Sequence, residues 1–254
     1  ADLLGLPHVR YDLAEEYDLA KETERRTPGV VCETFIRPPC ALVLGNEFLL
    51  ARDSSYPAER RFKLREHTVA VVAKVIKAWE LPQPPFADKV PAGLATALDV
   101  FVGYVMFDAW VANQDRHHEN WAAVREGERF WLAPTFDHGA SMARNLTDKE
   151  RHERLATRDA NRQIPAFARK ALSAFYDQST DDKPMTTVAA WRAFAKLCPH
   201  AASAWLERLQ AIGDAEIERL LKEIPPHRMS EICRQFTMRL LQENRRRLFA
   251  GDEK

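Results

Sequence analysis

Apolar residues recur at two different spacings along this chain. Near the start, "HVRYDL" (residues 8–13) alternates apolar and polar positions, and "GVVCETFI" (29–36) is rich in β-branched and aromatic residues before an Arg-Pro-Pro run. Both patterns predict strands. The polar segment between them closes at Pro28-Gly29 and predicts a hairpin connection or a mobile loop. Ahead of them Leu3, Leu4 and Leu6 carry a short helical pattern cut by Gly5 and Pro7, which reads as the tail of an element begun elsewhere in a larger gene product.

From Arg65 onward the spacing becomes helical. Val69, Val72, Ala73, Ile76 and Trp79 share one face before "LPQPP" stops the element. Residues 92–111 carry Leu94, Leu98, Phe101, Val102 and Val105 at helical offsets and are apolar nearly all round, the pattern of a core helix. After residue 150, "FARKALSAFYDQS", "TTVAAWRAFAKL", "HAASAWLERLQAI", "DAEIERLLKEI" and "MSEICRQFTMRLLQENRRRLF" read as helices, with Asp214 and Ser230 as N-caps. Arg245, Arg246 and Arg247 read as a solvated helix terminus.

Composition narrows the classes. A hydrophobic content of 46% supports a substantial core, and 37 basic residues balance 37 acidic ones, so no global field favours nucleic acid or an anionic membrane. Four cysteines without a CxxC pair fit buried thiols in a reducing, cytoplasmic setting. No apolar run reaches the roughly 18 residues of a membrane helix.

The chemistry concentrates in "ANQDRHHENWAAV" (112–124), a dense polar loop between the apolar helix and "FWLAPTFDHGAS", a strand pattern that breaks at Asp137. Asp115 is followed five residues later by Asn120, and Asp137 lies beyond the strand. Phosphoryl transfer from ATP requires a carboxylate that orients or deprotonates the attacking hydroxyl, a role for Asp115. It also requires hard oxygen ligands for Mg²⁺, a role for Asn120 and Asp137. The adjacent His117 and His118 do not fit a transition-metal site, because neighbouring loop histidines seldom point at one ion.

"NQDRHHEN" with "FWLAPTFDHGAS" resembles the catalytic core of the HipA-like serine/threonine kinases, distant relatives of phosphatidylinositol kinases. "GLPHVRYDL" resembles the segment leading from their early helix to a strand, "GVVCETFIRP" their hinge strand, and residues 65–250 their helical C-lobe. The resemblance implies an α+β, protein-kinase-like fold: the end of a β-containing N-lobe and hinge in residues 1–40, and a mostly helical C-lobe in 41–254. It implies Asp115 as base, His117 as the brace of its loop, Mg²⁺ on Asn120 and Asp137, and backbone groups around Glu33, Thr34 and Phe35 facing the adenine of ATP. Position 119 is glutamate where the family often has lysine, so Arg116, His118 or Arg144 is expected to supply the missing positive charge. The family's glycine-rich phosphate loop and ATP-binding lysine would lie ahead of Ala1, and no GxGxxG or P-loop string occurs in the 254 residues. That part is expected upstream in a longer product, from a partner chain, or lost. The resemblance implies a protein substrate and leaves an antitoxin or a separate N-lobe as candidate partners without establishing either; a small-molecule phosphotransferase and a pseudokinase are the alternatives. The charged segment 139–163 reads first as a solvent-exposed loop and helix without a regulatory role; on the resemblance it takes the place of an activation or docking loop, with Ser141, Thr147 and Thr157 as candidate phosphate acceptors.

Overall fold

A computed structural model of the chain describes residues 1–17 and 26–251. Two strands near the start, β1 (Asp12–Tyr17) and β2 (Arg26–Val31), pair antiparallel with Asp12 opposite Val31. The register differs from the predicted 8–13 and 29–36. Residues 7–9 make a single bridge to Thr135, with Val9 N–H donating to the Thr135 carbonyl at 3.0 Å and Thr135 N–H to that of Pro7 at 2.9 Å. Their alternation is thus satisfied by a different neighbour. Residues 32–36 leave the ladder and have no regular structure. The middle of the predicted connection, residues 18–25, lies outside the described residues.

A second sheet holds β3 (Ala41–Leu44), β4 (Ala122–Glu126) and β5 (Arg129–Leu132), in the antiparallel order β3-β4-β5. Helix α1 (Gly45–Arg52) follows β3 without a loop, and α2 (Val69–Ile76) starts at Thr68, whose hydroxyl accepts from Val71 N–H. The centre of the molecule is α3 (Ala97–Val111), in which all fifteen side chains are buried. It starts at a capping box, Thr96 with Asp99, so both groups satisfy otherwise orphaned donors. Four helices complete its surroundings among the described residues: α2, α6 (Thr187–Leu197), α7 (Pro199–Ala211) and α9 (Glu231–Phe249) all pack on it. Between them in the chain lie α4 (Asp148–Ala156), α5 (Ile164–Ala168) and α8 (Asp214–Glu223). No helix among the described residues is long and apolar enough to cross a membrane.

Several expectations change here for identifiable reasons. "FARKALSAFYDQS" is helical only through Ala168; beyond it the backbone pairs sideways, Ser173 N–H with the Met185 carbonyl at 2.8 Å and Tyr176 N–H with that of His67 at 3.1 Å. Those bonds replace a helical ladder. Ser230 caps α9 as expected, whereas Gly213 occupies the cap of α8 and Asp214 is its first helical residue. Arg247 is buried and donates to the Ala168 carbonyl at 2.9 Å, and Arg245 reaches the Ile212 carbonyl at 2.8 Å, so these two anchor α9, while Arg246 is exposed as expected. Of the four cysteines, all free, only Cys198 is buried and Cys32 is exposed.

What positions the polar loop is a buried charge on α3. Asp108 is the one ionisable carboxylate in the inner turns of that helix, and Arg116 closes on it with Nε and Nη2, each 2.7 Å from a carboxylate oxygen. Asn113 adds its side-chain amide at 2.8 Å. The remaining guanidinium nitrogen, Nη1, donates to the Asn120 carbonyl at 2.6 Å and lies 3.4 Å from that of Phe136, so one side chain ties α3, the 113–120 loop and the turn before Asp137. On the far side, the first N–H groups of α1 donate back into the loop, Gly45 to the Trp121 carbonyl (2.9 Å) and Asn46 to that of His118 (3.0 Å). This approach requires glycine: a Cβ at Gly45 would lie 2.4 Å from the Trp121 ring and 2.6 Å from the His118 carbonyl.

Two stability measurements check this frame. Arg116→Ala strands the Asp108 carboxylate and is expected to cost ~3–5 kcal/mol in chemical denaturation. Gly45→Ala is expected to cost ~1–3 kcal/mol by overpacking. Near-zero values would show that neither contact holds the loop.

Candidate active site

The chain leaves α3 through Ala112, whose φ of 53° is left-handed and unusual for a residue with a Cβ. That turn swings the backbone into the polar loop. Asp115 N–H donates to Asn113 Oδ1 at 3.3 Å, and Asn120 Nδ2 donates to the Asp115 carbonyl at 2.5 Å. Asn120 thereby commits its nitrogen to the loop and keeps Oδ1 as its ligand atom. Glu119 N–H donates to His117 Nδ1 at 3.2 Å, which places the imidazole proton on Nε2, and Nε2 lies 3.7 Å from Asp115 Oδ1.

Asp137 stands on the neighbouring turn with φ 51°, a second strained position, and its N–H donates to the Tyr11 hydroxyl at 3.1 Å. It is exposed, while Asp115 is half-buried and Asn120 buried. Asp115, His117, Asn120 and Asp137 are therefore brought together, with Arg116 bonded to the backbone of both turns. Asn120 and Asp137 present a carboxamide oxygen and a carboxylate, hard donors that fit an octahedral Mg²⁺ filling its other positions with water and phosphate oxygens. Among the described residues no three His, Cys, Asp or Glu side chains converge as a metal cluster, so the fit rests on this pair.

Burial dominates the electrostatics. It raises the Asp115 pKa above the ordinary aspartate range; His117 opposes the shift and the Asp137 charge adds to it. Burial likewise lowers the His117 pKa, against the pull of Asp115 and Glu119, so its ring is neutral near pH 7. His118 is pushed down to about 4, again chiefly by burial.

Glu33, Thr34 and Phe35 do not touch that cluster. They line a cavity of about 610 Å³ together with Phe86, Val124 and Leu132, and none of Asp115, His117, Asn120 or Asp137 lines it. The connection runs through aromatic rings: Phe35 lies 6.2 Å from Phe86 and 6.3 Å from Phe136, the residue before Asp137. The cavity wall and the Asp137 turn are thus in register.

Two expected cations are excluded by burial. Arg116 is 1% exposed and fully committed to Asp108 and the two carbonyls, and His118 is 0% exposed with Nδ1 2.8 Å from the Tyr56 hydroxyl. Arg144 is exposed and acts on Asp115. In the segment 139–163, Ser141 is buried and not presented as a phosphate acceptor, while the exposed Thr147 uses its hydroxyl to cap α4, which fills residues 148–156. Thr157 is half-buried at the end of α4.

Sequence reading missed Asp108, Tyr11 and Arg61. A lone acid inside "VFVGYVMFDAWV" was a signal for Asp108, since a carboxylate buried in an apolar helix demands a partner. No sequence signal links Tyr11 or Arg61 to the loop: the first is 126 residues from Asp137, and the second reaches Glu119 with Nε 2.7 Å from Oε2.

No protein-family model matches the chain, and no curated protein matches it in sequence. Solved structures do. The Helicobacter pylori proinflammatory kinase CtkA superposes with a TM-score of 0.69 at 20% identity, over 97% of this chain and 76% of that one. HipA of Shewanella oneidensis MR-1, solved as a toxin–antitoxin system with HipB and its operator DNA, superposes with a TM-score of 0.58 at 12% identity; the match covers 98% of this chain and 52% of HipA. With these architectures and the loops described above, the chain has the fold of the HipA-like kinases.

Proposed function

We propose that this chain is the catalytic part of a kinase that transfers the γ-phosphate of ATP to a serine or threonine hydroxyl of a protein, with Mg²⁺ held by Asn120 and Asp137. The observation that carries the reading is the gathering of Asp115, Asn120 and Asp137 on two turns bonded to one buried guanidinium. Magnesium bound there would neutralise charge on the phosphate oxygens. Asp115 orients the acceptor hydroxyl and takes its proton, a task suited by a carboxylate whose proton affinity burial has raised. His117 directs Nε2–H at that carboxylate and fixes its orientation. The backbone of 33–35 and the apolar Val124 and Leu132 offer the nucleotide base a flat, partly apolar slot.

The same reading extends to partners and setting. An antitoxin, or a separately supplied phosphate loop, would act on this chain in a cytoplasmic compartment, where an exposed free thiol such as Cys32 is compatible with the redox state. Titrating ATP into the chain with and without a candidate partner tests this; unchanged affinity would remove that partner from the phosphate site.

Four outcomes are expected of the site itself. Asp115→Ala lowers phosphotransfer about 10²–10⁴-fold and leaves Mg²⁺-dependent ATP binding nearly unchanged. Transfer at the wild-type rate would sink the assignment. Asp137→Asn removes the magnesium dependence of ATP binding in calorimetry; a retained dependence would place the ion elsewhere. For pH, the base must be ionised, so kcat/KM declines on the acid side at a pH above the ordinary aspartate value of about 4. The same shift means that ionising Asp115 opposes folding, a penalty that grows as pH rises from the ordinary value through the raised one. Asp115→Asn therefore melts higher than wild type at pH 7, with the difference shrinking as the wild-type carboxyl is protonated.

A further inference from the structure

On the reading above, the nucleotide side of Asp115 is taken by Asn120, Asp137 and, through Phe136, the Phe35 cavity. In-line transfer brings the acceptor hydroxyl from the opposite side of the phosphoryl group. The part of the loop that carries His117, beside Asp115, is covered by residues 56–62. The Tyr56 hydroxyl lies 2.8 Å from His118 Nδ1, Arg61 Nε lies 2.7 Å from Glu119 Oε2, and the Phe62 ring meets the His117 ring edge-on at 6.4 Å. Three contacts to three consecutive loop residues fix this segment beside the candidate base.

Residues 59–63 are nonetheless exposed. Phe62 is 71% exposed, the most exposed of the large apolar side chains among the described residues. The side chains of Arg60 and Lys63 are exposed and make no ion pair or hydrogen bond among the described residues, and Lys63 is held at φ 57°. Of the acids nearby, Glu119 is paired with Arg61 and Asp182 with Arg65 at 2.9 Å, while exposed Glu59 and Glu66 are not paired with Arg60 or Lys63. An aromatic side chain between two uncommitted cations has the character of a recognition strip for an acidic, partly apolar chain.

We propose that Arg60–Lys63 is the acceptor-docking strip of this kinase, and that it takes a polypeptide segment in which acidic residues and an apolar side chain flank the target hydroxyl. The proposal rests on the kinase reading, which makes Asp115 the group that the acceptor hydroxyl must reach. Phe62 packs on the apolar residue, Arg60 and Lys63 meet the acids, and the hydroxyl is delivered past His117 to Asp115. A small sugar or amine acceptor would not reach across such a strip.

Binding can be read without any transfer. Two fluorescent peptides with a central Ser-Leu pair, one flanked by Asp and Glu and the other by Lys and Arg, are titrated with the chain and followed by anisotropy without nucleotide. The acidic peptide is expected to bind about tenfold more tightly and to lose that advantage in high salt. Arg60→Glu with Lys63→Glu should abolish or reverse the preference, and Phe62→Ala should weaken the acidic peptide several-fold, with unchanged melting curves because all three positions are exposed. Equal affinities, a basic preference, no binding of either peptide, or an unaltered preference in the charge-reversed variant would overturn the strip. Mg²⁺-dependent ATP binding by the same variants should stay at the wild-type level. Loss of nucleotide binding in the wild type would count against the kinase reading instead, so the two failures are separable.

Discussion

The buried ion pair between Asp108 and Arg116 is the constraint from which the rest of the site follows. A carboxylate in a helix that is buried all round is tolerable only when it is paired and hydrogen-bonded. Arg116 can answer it because a guanidinium offers a planar fork with further donors behind it. Two nitrogens are spent on Asp108, and the third reaches the carbonyls of Asn120 and Phe136. Those carbonyls belong to irregular backbone that no ladder satisfies, so the pair also supplies the hydrogen bonding that lets two polar turns exist against an apolar core. The candidate metal ligands inherit their relative placement from that arrangement.

Strain collects around the same place. Ala112, Asp137, Met142 and Ala143 all have positive φ without being glycine, and they bracket the two turns. Such conformations persist where surrounding structure over-determines them. Here the helical layer does so. Trp205 lies over Gly103, where a Cβ would be 2.4 Å from the indole, and donates Nε1–H to the Asp99 carbonyl at 2.8 Å. Trp110 and Asn244 exchange side-chain and backbone bonds between α3 and α9, with Asn244 Nδ2 3.0 Å from the Trp110 carbonyl and Trp110 Nε1 3.2 Å from that of Leu241. A rigid α3 presents its C-terminal end in one position, and the loop begins there.

Much of the helical layer was legible in the chain because burial on one face writes a 3.6-residue period that few other structures produce. Helices α2 and α6 followed from it directly, whereas α3, buried all round, showed as an apolar run of helical length. The strands were less legible. In the β1–β2 hairpin Leu13, Val30 and Val31 remain exposed, so the alternation of apolar and polar residues did not mark an inner and an outer face. "FARKALSAFYDQS" carried a helical period yet lies partly extended, because its backbone found partners in residues 67 and 185 that the local pattern does not contain.

For the site, the residue types and their spacing along the chain determined which groups are suited to phosphoryl transfer: Asp115, Asn120 and Asp137 are the carboxylate and hard oxygen donors that such chemistry uses. That inference needs only side-chain chemistry and order. Tertiary structure alone decided which of the neighbouring charges are available. Arg116, His118 and Arg247 look solvated in the sequence and are buried in the fold, while Arg61, more than fifty residues before Glu119, ends beside it. The physical reason is that a polar residue's role depends on the desolvation it suffers and the partner that offsets it, and both are set by chain segments far apart in sequence.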